Sequence, residues 1–313
     1  MIQPSCSVII PVRDCLAYLR VAIESVRYQH GVDLEVIVVD DGSSDGAWEW
    51  LSHQAREDAR LRPIRLEGVG PARARNAGIE AARGDLIAFL DADDQWWPGK
   101  LARQVAHHRA APQTAFSFTD YLHVDPEGGV HGGCFAFWKP HFANGASLAF
   151  QRLADPEYAI LECNAVGTST VVASRKALQN ANGFAESKSA EDWDLWLRLA
   201  GFGEVAFSLA TTATYMMRPG SETRKASARI EAMQEIIERY GSHSNVRAAQ
   251  ALRGAQTRLL LAHAEEARAR GAFGVAALLH ARAFLGRKDL RTLRAAASDV
   301  RASLRQGQRS AAS

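Results

Sequence analysis

Between residues 6 and 91 the chain alternates, twice over, between short β-branched runs and stretches with a helical apolar face, and that alternation leaves few folds open. CSVIIPV (6–12) and LEVIVVDD (34–41) are β-branched runs with polar flanks, the pattern of strands buried on both faces. Between them Leu16, Leu19, Ala22, Ile23 and Val26 recur at helical spacing across 15–29. A second pass follows: a helix from about 45 to 58, a short strand LRPIRL, a helix over 71–83 and a strand DLIAFLD over 85–91. Strand–helix–strand repeats at this spacing predict a doubly wound, mostly parallel α/β sheet with right-handed crossovers. Ligands of such sheets lie at the carboxyl ends of the strands, and here VVDDGSS and FLDADD both place acids there.

Two common nucleotide folds fail on their loops. A dinucleotide dehydrogenase needs Gly-x-Gly-x-x-Gly after the first strand, where this chain reads PVRDCLAYL without a glycine. The P-loop pattern Gly-x-x-x-x-Gly-Lys-Ser/Thr does not occur. With 47% hydrophobic and 23% charged residues among 313, the chain reads as an ordinary globular protein. No run of about 18 apolar residues is present, so no membrane span is expected. The opening MIQPSCSVII lacks the basic start of a secretory leader, and Cys6, Cys15, Cys134 and Cys163 have no metal-type spacing. Reduced thiols and a cytoplasmic setting are expected.

Charge is split along the chain. Residues 1–224 hold 21 basic and 28 acidic residues, net −7, whereas residues 225–313 hold 16 and 7, net +9. We therefore read two domains, 1–224 as α/β and 225–313 as a basic α-helical region.

In FLDADD, Asp91 and Asp93 are two apart and point to the same side of an extended strand end. That suits a hard cation such as Mg2+ or Mn2+, held by one or two carboxylates plus substrate phosphates. The plainer reading is that Asp93 or Asp94 caps a helix starting near Pro98. VVDDGSSDG has its own plain reading, a turn whose Asp45 caps the following helix. Arg73 and Arg75 fall in the first turns of a helix after the loop EGVGPAR, where cations oppose the helix dipole unless an anion sits there. A solvated helix face is the alternative. In SAEDWDLWLRLA, Trp193, Trp196, Leu197 and Ala200 form an apolar stripe, Asp194 and Arg198 an i,i+4 pair expected in solvent, and Glu191 and Asp192 open the helix.

The blocks SVIIPVRD, VIVVDDGSSDG, GVGPARARNAGIEAARGDLIAFLDADD and GFAESKSAEDWDLWLRLA come in an order that resembles glycosyltransferase family 2, inverting enzymes of the GT-A fold, over roughly residues 5 to 220. The resemblance implies Asp93 as ligand of Mn2+ or Mg2+, with Asp91 beside the ribose or a metal-bound water. It implies that Asp41 contacts the base while Asp40 supports the loop, that Pro11 and Arg13 line the nucleotide pocket, and that Arg73 and Arg75 face the donor. Asn76 and Gly78 complete the family pattern. It makes the Glu191–Asp192 pair catalytic, with Asp192 the general base. Relatives often carry Tyr and Asn at positions 13 and 14, where this chain has Arg13 and Asp14, and a His near position 218, where it has Arg218, assigned to the diphosphate.

The function implied is transfer of a sugar from a nucleotide-sugar, UDP foremost, to a hydroxyl of a glycan or lipid-linked acceptor, as in surface polysaccharide synthesis. A catalytically silent relative that binds a sugar nucleotide or scaffolds partners is the alternative. The aromatics Phe135, Phe137, Trp138 and Phe142 could stack on sugar or fill a core. Amphipathic helices near 230–241, 249–271, 273–286 and 290–306 leave two partners open for the basic region: an anionic inner membrane leaflet, or a helical cap or homodimer. No nucleic-acid module is recognisable.

Overall fold

The computed structural model describes residues 5–186, 189–218, 226–241 and 246–310. The chain divides into two compact units, one formed by Met1–Ile160, Asn164–Glu186 and Glu191–Pro219, the other by Leu161–Cys163, Ser187–Ala190 and Gly220–Ser313.

The first unit follows the alternation read from the sequence. Its elements are β1 (Cys6–Val12), α1 (Leu16–Arg27), β2 (Leu34–Asp40), α2 (Ala47–Glu57), β3 (Leu61–Arg65), α3 (Pro71–Ala81), β4 (Leu86–Phe89), β5 (Gln95–Trp96) and α4 (Lys100–Ala110). After these come β6 (Thr114–Val124), β7 (Val130–Gly133), α5 (Cys134–Trp138), β8 (Gln151–Arg152), α6 (Pro156–Glu162), β9 (Val172–Ser174), α7 (Arg175–Asn180), α8 (Glu191–Leu199) and β10 (Glu204–Met216). The strands make one sheet in the order β3-β2-β1-β4-β9-β6-β10-β5. Strand β1 is parallel to β2 and β4, β2 to β3, and β10 to β6, while β9 runs antiparallel between β4 and β6. The sheet is thus mostly parallel with one reversed inner strand.

Side-chain alternation along β1 explains the double winding. Val8, Ile10 and Val12 share a buried cluster with Leu19, Ile23 and Val26 of α1 and with Leu101 and Val105 of α4. Ile9 points the other way, onto α3, where Gly78 lies so close that a Cβ there would sit 2.5 Å from the Ile9 Cγ2. Burial on both faces accounts for the unbroken apolar runs. The stretch 112–165, irregular in sequence, holds the long strand β6. Its Phe135 is buried and, with Phe142, packs edge-on against Phe118, whereas Phe137 is 46% exposed.

In the second unit α9 (Ala226–Tyr240), α10 (Val246–Ala269), α11 (Phe273–Arg287) and α12 (Leu290–Ser310) pack in succession. The links 270–272 and 288–289 are short, so α10, α11 and α12 run antiparallel to their neighbours. Buried alanines of α10, among them Ala248, Ala251 and Ala255, allow close approach. His280 and Arg268 both reach the buried Asp299 carboxylate, at 2.7 and 3.2 Å, tying α11 and α10 to α12. Among the described residues no helix is long and apolar enough to cross a membrane.

Two local expectations are corrected, and that for Asp45 is extended. Asp94 caps no helix: α4 begins at Lys100 with Gly99 at its N-cap, and Asp94 is buried elsewhere. Asp45 serves two helix starts, accepting from Ala47 N at 3.1 Å and from Leu16 N at 2.7 Å. The Asp194–Arg198 pair is not solvated. Asp194 is buried, and Arg198 also donates to the carbonyls of Ala181 and Gly183, so the pair brackets α8 against the preceding turn.

Candidate functional site

Two acidic loops leave the sheet at the ends of β2 and β4. At the first, both oxygens of Asp41 accept main-chain hydrogens, from Val69 N at 2.7 Å and Gly70 N at 2.8 Å. Gly70 has φ +90°, which a side-chain-bearing residue disfavours, so the glycine lets the loop turn its N–H groups onto the carboxylate. Asp40 is fully buried; one oxygen accepts from Ser43 N and the other faces Arg65 Nε at 3.8 Å. Asp14 sits at φ +48° and accepts from Ser44 N and the Ser44 hydroxyl, bonds that hold its carboxyl below the ordinary range. These contacts knit β1, β2 and the loop before α3 together. Pro11 lies on β1 opposite Val39, and the exposed Arg13 guanidinium rests against Gly68 of that loop.

The loop after β4 is organised by arginines and hydroxyls instead. Arg75, on α3, is buried and donates to Asp91 Oδ1 at 2.7 Å and to Glu191 Oε1 at 2.9 Å. One guanidinium thus joins the strand-end acids to the start of α8. Its Cζ lies 5.3 Å from the Phe184 ring centre, and Asn76 clamps the Phe184 main chain with two hydrogen bonds of 2.8 Å. Arg73 behaves differently: it is exposed and pairs with Glu186 at 2.7 Å. Asp93 receives Arg218 Nε at 2.5 Å, and the Arg218 guanidinium lies 6.0 Å from the Tyr18 ring centre. Asp94 accepts from the Ser169 hydroxyl at 2.5 Å and from Met216 N at 3.0 Å.

The electrostatics of this second cluster are unusual. Burial and the neighbouring Asp91 push the Asp93 carboxyl above its ordinary range, against the pull of Arg218. Burial, Asp91 and Asp93 push Asp94 higher still. Asp192, beside Glu191 at the start of α8, is pushed up to about 6, mainly by burial and then by the Glu191 charge. It accepts from the Thr168 hydroxyl at 3.2 Å. Ala190, just before α8, has φ +56°, a disfavoured conformation that recurs at functional sites.

Carboxylates crowded in this way favour binding a proton or a cation. Among the described residues no three His, Cys, Asp or Glu side chains form a ready-made metal cage. The carboxylate oxygens of Asp91 and Asp93 nevertheless fit a hard divalent cation that completes its shell with phosphate and water.

The structure therefore brings together Asp91, Asp93, Arg75, Glu191, Asp192 and Arg218 through direct pairs or shared partners, while Pro11 lies on β1 and Arg13 and Asp41 follow the ends of β1 and β2. Sequence reasoning missed Thr168 and Ser169, in a short 3-10 turn before β9. Ser169 donates to Asp94 and accepts from Asp91 N at 3.1 Å, and its carbonyl accepts from Trp96 Nε1. The hydroxyl run Thr168–Ser169–Thr170 between Gly167 and a β-branched pair was the available signal.

The profile "Glycosyl transferase family 2" matches residues 7–138. An uncharacterised glycosyltransferase of Rickettsia felis is 33% identical over 199 residues, which is 62% of this chain and 30% of that protein. The putative glycosyltransferase EpsH of Bacillus subtilis is 40% identical over 94 residues, 30% of this chain and 27% of EpsH. The chain thus spans under a third of these relatives. It spans 75% of the Escherichia coli UDP-Glc:alpha-D-GlcNAc-diphosphoundecaprenol beta-1,3-glucosyltransferase WfaP, with 29% identity over 67% of its own length. In fold it is similar to Staphylococcus aureus TarS 1-349, solved with UDP-GlcNAc, at TM-score 0.61 and 19% identity over 97% of this chain and 92% of TarS 1-349. The mannosyltransferase PcManGT of Pyrobaculum calidifontis, solved with GDP-Man and Mn2+, gives the same TM-score at 18% identity, over 97% and 81% of the two chains. Ordered motifs, profile match and mostly parallel sheet agree: residues 7–138 carry a glycosyltransferase family 2 domain, and the fold is of the GT-A type.

Proposed function

We propose that the chain is an inverting glycosyltransferase that moves a sugar from a nucleotide-sugar, UDP-linked by our reading, to a hydroxyl of a glycan or lipid-linked acceptor in cytoplasmic steps of surface polysaccharide synthesis. The observation that carries this reading is the Arg75 bridge, with Asp91 on one side and Glu191 on the other. It couples a strand end suited to a diphosphate-bound cation to a helix start suited to a base. The relatives add chemistry of the same kind: WfaP is named for UDP-Glc, and TarS and PcManGT were solved with UDP-GlcNAc and with GDP-Man and Mn2+.

Asp192 acts as general base. With its carboxyl pushed up to about 6, it is ionised at neutral pH yet basic enough to accept a hydroxyl proton. The acceptor oxygen attacks the anomeric carbon as its proton passes to Asp192, and the bond from that carbon to the diphosphate oxygen breaks on the opposite face. The diphosphate leaves with the bonding electrons, so the configuration inverts. Asp93, with Asp91, would hold Mn2+ or Mg2+, which when bound would offset the negative charge of the diphosphate. Arg218, beside Asp93, supplies a second positive charge for the same phosphates. Arg75 holds Asp91 and Glu191 in register, and Asp41 orders the 67–70 loop along the nucleotide pocket.

Donor turnover across a panel of UDP-, GDP- and TDP-sugars, with and without Mn2+, tests the reading. Metal-dependent turnover of at least one donor is expected. Nucleotide-sugar binding without turnover of any donor, in the presence of glycan and lipid-linked acceptors, would favour a silent relative.

A further inference from the structure

The last helix buries one face and exposes a second apolar one. On α12, Thr292, Ala296 and Asp299 are buried within the unit. A quarter-turn away, Leu293, Ala297, Val300 and Leu304 recur at i, i+4, i+7 and i+11 and form a stripe open to solvent, with Leu290 at its start. Leu290 is 67% exposed, Leu293 44%, Val300 48% and Leu304 64%. Burying side chains of this kind is what ordinarily stabilises a helix, so a row of them left in water needs a partner.

The neighbouring stripe limits what that partner can be. Arg294, Arg301 and Arg305, all exposed, follow the same spacing along the next face, and Arg291 lies beside them. The acid within α12, Asp299, is fully buried under His280 and Arg268, so the outer surface of the helix carries arginines and no carboxylate. A second copy paired antiparallel over the apolar stripe would set two arginine rows on the same side of the seam. A surface with negative headgroups above an apolar interior matches both stripes at once.

We infer that α12 is an interfacial helix, seating Leu290, Leu293, Val300 and Leu304 among the acyl chains of an anionic membrane while Arg294, Arg301 and Arg305 meet the headgroup phosphates. Such seating holds the chain on the two-dimensional surface where a lipid-linked sugar acceptor is confined. Membrane binding requires no sugar transfer, so this inference and the proposed chemistry fail separately.

Flotation of the full chain with vesicles of equal parts phosphatidylglycerol and phosphatidylcholine tests it, against pure phosphatidylcholine and across a salt series. Binding to the anionic vesicles that weakens with salt is expected. Leu293→Ser/Val300→Ser/Leu304→Ser should lower it at least about tenfold, since the apolar contribution scales with buried area. Arg294→Gln/Arg301→Gln/Arg305→Gln should weaken it and flatten the salt dependence. These side chains are exposed, and circular dichroism and donor turnover should be unchanged in both variants. Equal binding to both vesicle types, or binding indifferent to both triple substitutions, overturns the inference. So does absent flotation, including the case where the sedimentation mass doubles and the leucine variant abolishes the doubling, which assigns the face to a second copy.

Discussion

The two acidic loops at the ends of β2 and β4 look alike in sequence, yet they are held by different chemistry. Asp41 is held by main-chain N–H groups of a glycine loop, donors fixed by the fold. Asp91, Asp93 and Glu191 are held by two arginines, and Asp94 by a hydroxyl and one N–H. The first arrangement builds a wall. The second gathers more negative charge than it neutralises, and burial first, then the neighbouring acids, raise the carboxyls of Asp93, Asp94 and Asp192. Clustered acids therefore divide by their donors: those bound to main chain shape a site, and those crowded against each other are left to bind cations or protons.

Arg75 is the most severe place to break that contrast. Arg75→Met leaves Asp91 and Glu191 without their buried partner, and removing one member of a buried pair typically costs about 3–5 kcal/mol. Urea unfolding should find a loss of that size. A loss under about 1 kcal/mol would mean the bridge is incidental, since even a single unsatisfied buried group usually costs more.

Asp192→Asn sharpens the contrast from the opposite direction. Turnover should fall at least about a hundredfold with donor affinity nearly intact, the scale of a lost general base. Stability should rise. A carboxyl raised from 3.8 to about 6 by folding contributes stability at low pH that is lost as pH climbs through that window. At pH 7 the neutral amide escapes this penalty, so the variant should gain roughly 1–3 kcal/mol. Lower stability together with near-normal turnover would transfer the base role to Glu191.

Asp93→Asn addresses the cation directly. Calorimetry of UDP binding should lose the increment that Mn2+ adds in the parent chain, while metal-free affinity remains. An undiminished increment would remove Asp93 from the metal site. Asp41→Asn gives the smallest effect. The amide keeps one acceptor but turns an NH2 toward Val69 N or Gly70 N, a mismatch that costs about 1–3 kcal/mol. The loss should appear as lower thermal stability and weaker UDP binding, both independent of Mn2+. A metal-dependent defect in Asp41→Asn would erase the distinction between the loops.

How much of this could be read from sequence follows from the distance over which each feature is determined. The strands, the helices of the first unit and the acidic strand ends depend on local pattern, and LEVIVVDD or PARARNAGIEA announces itself within a dozen residues. The apolar spacing of Trp193, Trp196 and Leu197 placed Glu191 and Asp192 at the start of a helix, where α8 begins. What stayed hidden depends on residues far apart in the chain. Asp94 looked like a cap for the helix just beyond it, but its partners are Ser169 and Met216, 75 and 122 residues away. Arg75 and Arg73 looked equivalent one turn into α3; one is buried as a bridge and the other lies at the surface with Glu186. Thr168 and Ser169 carried no signal beyond a short hydroxyl run, since their importance comes from the two carboxylates that the sheet brings to them.

The central claim is that the crowded cluster makes Asp192 a working base, and the pH dependence of turnover tests it most directly. For the parent chain, kcat/KM for donor and acceptor at saturating Mn2+ should rise with pH through about 6, as Asp192 loses its proton, and then level off. In Asp192→Asn the residual rate should show no such limb. A parent profile flat between pH 5 and 8, on the order of the range over which the limb must appear, or the same limb persisting in Asp192→Asn, would contradict the account.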